Sequence, residues 1–72
     1  MYEYNELTQD ELIEDVIARA FAMMLGVHMP SPEALTLMQT WIKIGAVDRG
    51  VDLTEEYILK QIPNFIDYLY RR

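Results

Sequence analysis

Three stretches of the sequence, "LTQDEL" from Leu7, "SPEA" from Ser31 and "DLTEE" from Asp52, each set a small polar residue directly ahead of apolar residues at helical spacing. A Ser, Thr or Asp side chain in that place accepts a hydrogen bond from a backbone N–H two or three residues on, satisfying a donor that the first helical turn leaves open. With three such starts in 72 residues, the chain has room for little besides helices. The expected fold is all-α, a small bundle of three principal helices.

The first start is the most explicit. Thr8 caps, Glu11 returns the bond, and Leu7 and Leu12 hold the two positions of a hydrophobic staple. Helix 1 is expected to reach about Leu25, with Gly26 ending it in the left-handed conformation. Ser31 caps helix 2 and Pro32 takes the first helical position, where its missing N–H costs nothing. That helix carries Leu35, Leu37, Met38, Trp41, Ile42 and Ile44, and Gly45 is expected to stop it, leaving "GAVDRGVDL" as a long connection. The last helix starts at Asp52 or Thr54. Ile58, Ile62, Phe65, Ile66 and Leu69 keep one helical phase, yet Pro63 removes the bond to Leu59 and pushes Ile62 away from helical geometry. A break or kink at Pro63 follows, with a possible short fourth helix beyond it. Residues 1–72 form one helical domain, in which residues 1–7, with Tyr2 and Tyr4, are an N-terminal tail.

A domain this short usually adds a staple to its core, and the chain has no cysteine for a disulfide or a thiolate metal site. Association of chains is the staple that remains. Twelve acids against six bases give a net charge of −6. Three bases follow an acid by four residues on the expected helices (Asp15 with Arg19, Glu56 with Lys60, Asp67 with Arg71), leaving Lys43, Arg49 and Arg72 without such a neighbour. Direct nucleic-acid binding needs phosphate-neutralising side chains gathered on one face, so this balance weighs against it. The start lacks the basic and apolar pattern of an export signal, and "AFAMMLGV" is too short to span a bilayer. These features predict a cytoplasmic protein with no membrane segment.

Chemistry-bearing residues are sparse. His28 lies in the first connection with Leu25, not a ligand, three residues before it, and Ser31 is already used as a cap. No catalytic, cofactor-binding or metal constellation is visible, so no enzyme and no cofactor is expected. Asp10, Glu11, Glu14 and Asp15 cover a broad side of helix 1, as a solvated face or as an acidic surface for a basic partner. The apolar excess says more. "AFAMML", from Ala20, is apolar around the whole circumference of helix 1, and helix 2 carries one stripe of Leu35, Met38 and Ile42 beside another of Leu37, Trp41 and Ile44. The surplus either completes a tight monomer core or meets another chain. The second reading is favoured, with Phe21, Met24, Leu37, Trp41 and Ile44 as the expected self-interface.

The function expected is that of a small acidic protein–protein interaction module, a homodimer acting on an unidentified protein as regulator, inhibitor or assembly factor. The alternatives are a helix-turn-helix-like nucleic-acid binder and an acidic nucleic-acid mimic blocking a target's site. Against the helix-turn-helix stand the long connection after Gly45 and the carboxylates of Glu55 and Glu56, which would face phosphates.

Overall fold

Three of the four described helices begin where a side chain caps them. In the computed structural model, which describes residues 8–71, the Thr8 hydroxyl accepts from the Glu11 N–H at 3.1 Å and the Thr8 N–H donates to Glu11 Oε1 at 2.8 Å, opening α1 (Gln9–Ala22). Ser31 Oγ accepts from the Ala34 N–H at 3.1 Å and Pro32 begins α2 (Pro32–Arg49). Thr54, not Asp52, caps α3 (Glu55–Leu59) through the Tyr57 N–H at 3.0 Å. The last described helix, α4 (Gln61–Arg71), is set at 27° to α3, so that the two form one bent third helix. The expected tail, residues 1–7 with Tyr2, Tyr4 and the staple residue Leu7, lies outside the described residues, as does Arg72.

The helix ends differ from expectation. α1 stops at Ala22, and the chain continues through tight turns in which the Met24 N–H bonds to the Phe21 carbonyl and the Val27 N–H to that of Met24. No left-handed glycine is needed there, and Gly26 does not adopt that conformation. Gly45 does not end α2 either. It lies inside the helix facing α1, where an added Cβ would sit 3.2 Å from Val16 Cγ1. The left-handed residue is Gly50, with φ +68°. Its N–H bonds to the Val47 carbonyl and the Val51 N–H to that of Ala46 at 2.8 Å, a Schellman ending that also buries Val51 beside Ala46.

Pro63 is accommodated three residues after the actual break, which falls at Lys60. Because α4 restarts at Gln61, Pro63 is its third residue, where a helix has no internal acceptor for an N–H in any case. Gln61 is buried across the discontinuity: its Nε2 donates to the Tyr57 carbonyl at 3.3 Å and its Oε1 accepts from Asn64 Nδ2 at 3.1 Å.

Ala34, Met38, Ile42 and Ala46 recur every fourth residue along α2 and bury one stripe against Val16, Ala20 and Met24. Small residues at Ala20, Ala34, Gly45 and Ala46 let the two helices approach closely. Arg49 Nη2 reaches Asp15 Oδ2 at 2.6 Å, so the N-terminal half of α1 lies beside the C-terminal end of α2 and the pair is antiparallel. The bent third helix closes the core with Ile58, Phe65 and Leu69, and the Phe21 ring packs 5.3 Å from that of Phe65 and 5.4 Å from that of Tyr68. Of the three helical acid–base pairs, Asp15–Arg19 and Asp67–Arg71 form, at 3.0 and 3.1 Å. Glu56–Lys60 does not form among the described residues, because Lys60 sits at the bend; Lys43 instead pairs with Glu55 across α2 and α3 at 2.9 Å.

Replacing Gly50 by Ala forces an L side chain into the left-handed region and is expected to lower unfolding stability by about 1 kcal/mol. Gly26→Ala, with open space around it, should be neutral or slightly stabilising. Urea unfolding of the two variants checks the order, and a larger loss at Gly26 would contradict this assignment of the helix ends.

Candidate functional site

An α-helix that packs on one side should turn a polar face to water. α2 does not. Opposite its buried stripe, the side chains of Leu37, Thr40, Ile44 and Val47 follow one another at intervals of three, four and three residues. Leu37 is 44% exposed, Ile44 53% and Val47 82%, so three large aliphatic side chains line up in solvent along the outer side of the longest helix. Thr40 is less of an interruption than its hydroxyl suggests. Its Oγ1 donates to the Thr36 carbonyl at 3.1 Å, which engages the donor within the helix and leaves the methyl group for the surface.

The stripe runs on beyond the helix at one end. Val27, His28 and Met29 of the first connection form a shallow groove with Glu33, Ala34 and Leu37, and Met29 is 73% exposed. His28 lines that groove as a lone imidazole. Among the described residues, no three His, Cys, Asp or Glu side chains come together where they could hold a metal ion, and no helix is long and apolar enough to cross a membrane.

The five residues expected at a self-interface separate into two pairs, with Trp41 between them. Leu37 and Ile44 lie on the outer stripe. Phe21 and Met24 do not: at 7% and 1% exposure they belong to the core, Phe21 from the last turn of α1 and Met24 from the turns that follow it, because α1 ends at Ala22, within the stretch that is apolar all round in sequence. Trp41 is half-buried, packed against the core at the edge of the stripe. Val47 and Thr40 complete the stripe and were not among the expected residues. An ending at Gly45 puts Val47 in the connection; the three-and-four spacing that continues through Gly45 is the signal that places it on the helix.

The acidic group is smaller than its sequence suggests. Glu11 is engaged in the cap of α1, and Asp15 bridges Arg19 and Arg49. Asp10 and Glu14 remain exposed, with no ion pair among the described residues. The connection between α2 and α3 also differs from expectation. It comprises residues 50–54, much shorter than a helix ending at Gly45 implied, so its length no longer argues against a helix-turn-helix. The charge does: α3 has 5 residues and opens with exposed Glu55 and Glu56.

Hydrogen bonds from the Thr8 backbone and hydroxyl hold the Glu11 carboxyl below its usual pKa. A carboxyl lowered in the folded chain stabilises it fully above the ordinary carboxylate range and loses that contribution as pH falls through the lowered value. Glu11→Gln should therefore melt below the wild type at neutral pH, and the difference should vanish in acid. Thermal unfolding across pH measures this, and a difference that persists unchanged in acid would contradict it. Compared with family models, with curated proteins and with solved structures, the chain matches none.

Proposed function

We propose that this chain is a small acidic protein–protein interaction module that works as a homodimer and, in that form, regulates, inhibits or assembles a partner protein. The observation carrying the reading is the exposed stripe of Leu37, Ile44 and Val47 opposite the core face of α2. An aligned aliphatic surface on a chain with net charge −6 is costly to leave in water and gains roughly 25 cal/mol per Å² when covered. The stripe also answers the stability problem of a short chain without cysteines, since a second copy adds buried apolar area that one core of this size lacks.

The acids that hold no structural bond, Asp10 and Glu14 on α1, lie on the helix that packs against the inner side of α2. Pairing through the outer side leaves them accessible to a basic partner. Interaction with nucleic acid is the weaker alternative, because the first turn of α3 presents carboxylates where a recognition helix needs donors and positive charge. Mimicry of nucleic-acid charge is weakened too, since Glu11 and Asp15 are occupied by the cap and by Arg49.

Light scattering over a dilution series, at low and high salt, tests the proposal. The expected mass is twice 8.5 kDa at the concentrated end and insensitive to salt, as befits an apolar contact. Ile44→Asp should give a folded monomer with unchanged circular dichroism. A wild-type chain that is monomeric throughout would overturn the dimer, and a dimer that Ile44→Asp leaves intact would place its interface elsewhere.

A further inference from the structure

The spacing of the outer stripe carries more than the existence of a contact. Leu37, Thr40, Ile44 and Val47 follow the alternating three-and-four spacing of a two-helix seam, with Leu37 and Ile44 at one kind of core position and Thr40 and Val47 at the other. The residues flanking such a seam decide which way the second helix runs. On one flank stands Lys43, one residue before Ile44; on the other stands Asp48, one residue after Val47.

We propose that two copies pair α2 against α2 in parallel, each residue of the seam meeting its own counterpart, so that Lys43 of each chain lies beside Asp48 of the other. This rests on the self-association reading above and gives it a direction. In parallel pairs a flanking residue approaches the partner's residue five positions further on the opposite flank, which is the separation of Lys43 and Asp48. The two-fold axis makes the pairing twice. An antiparallel arrangement covering the same four residues sets Leu37 against Val47 and Thr40 against Ile44, and it brings Lys43 of one chain against Lys43 of the other. Attraction favours the first and repulsion disfavours the second.

The surrounding geometry agrees. Lys43 already touches Glu55, but that pair is exposed on both sides, at 53% and 67%, and an ammonium has three donors, so a second carboxylate can join without displacing the first. Trp41, half-buried at the edge of the stripe, takes the flank position facing Thr36 of the second copy. The acid in line with the seam, Glu33, falls in the first turn of α2, where the helix dipole favours negative charge and the seam ends. A seam from Leu37 to Val47 is about 15 Å long, at the small end for a stable interface. The dimer is therefore expected to dissociate on dilution.

The absence of cysteine makes the direction measurable by disulfide formation in the full chain. Val47→Cys is expected to form a covalent dimer rapidly in mild oxidant, while Glu14→Cys, on the exposed side of α1, does so only at the slow rate of random collision. Lys43→Glu and Asp48→Lys should each weaken dimerisation by roughly tenfold, and the two together should restore it. Asp48→Lys leaves the Lys43–Glu55 pair untouched, which separates the interface effect from any loss of fold. If the chain dimerises but Val47→Cys cross-links only with Leu37→Cys, the helices are antiparallel: the proposed direction falls and self-association stands. If neither the wild type nor any cysteine variant associates above the Glu14→Cys control, both fall, and the stripe belongs to the helix of a different protein.

Discussion

The contact on which the rest of the molecule depends is the close antiparallel packing of α1 on the inner stripe of α2. Met38 and Ile42, fully buried, form its centre, and the missing side chain of Gly45 leaves room for Val16, whose Cγ1 would sit 3.2 Å from a Cβ there. Dispersion contacts fall off steeply with distance, so a gap of even a fraction of an ångström along this line would forfeit much of the packing. Asp15 and Arg49 secure the same junction at its end, with the guanidinium largely sheltered. α3 and α4 then close over the line through Ile58, Phe65 and Leu69 rather than forming a core of their own.

That arrangement decides which surface is left over. Because α2 gives one side to α1 and to the bent third helix, its opposite side has no neighbour among the described residues, yet it carries Leu37, Ile44 and Val47. Two apolar stripes on one helix, one inside and one outside, are what a helix shared between two cores requires. In the proposed dimer α2 is the central element of a double bundle, with α1, α3 and α4 on the outside. The acids of α1 then face away from the two-fold axis. Charge repulsion between copies is kept off the seam, and Asp10 and Glu14 stay open to a third molecule.

How much of this was legible in the sequence depended on whether the cause was local. The starts of α1, α2 and α3 were, because Thr8, Ser31 and Thr54 each bond within three residues of themselves. The ends were not. Gly45 has the composition of a stop, but it lies inside the helix facing Val16, a residue far away in sequence, and the left-handed ending is at Gly50, followed by the buried Val51. Pro63 signalled the division of the last helix correctly, while the position of the break, at Lys60, reflects the preference of proline for a first turn. The candidate surface was half legible for a related reason. Periodicity shows that a helix has two apolar stripes and does not say which of them faces the core; Leu37 and Ile44 emerged on the outside, whereas Phe21 and Met24 were drawn in by Phe65, Tyr68 and the turn after Ala22. Val47 is not legible as part of the surface as long as Gly45 is taken as the end of the helix.

If covering the outer side of α2 adds to the stability of a single folded core, folding and association are linked, and unfolding must respond to mass action. The most direct measurement is the urea midpoint of the wild-type chain at several protein concentrations. The account predicts a midpoint that rises steadily with concentration, and a dependence that disappears in Ile44→Asp. A midpoint that is the same at every concentration would show that association adds nothing to the stability of the fold, and would contradict the claim that the outer stripe of α2 is completed by a second copy.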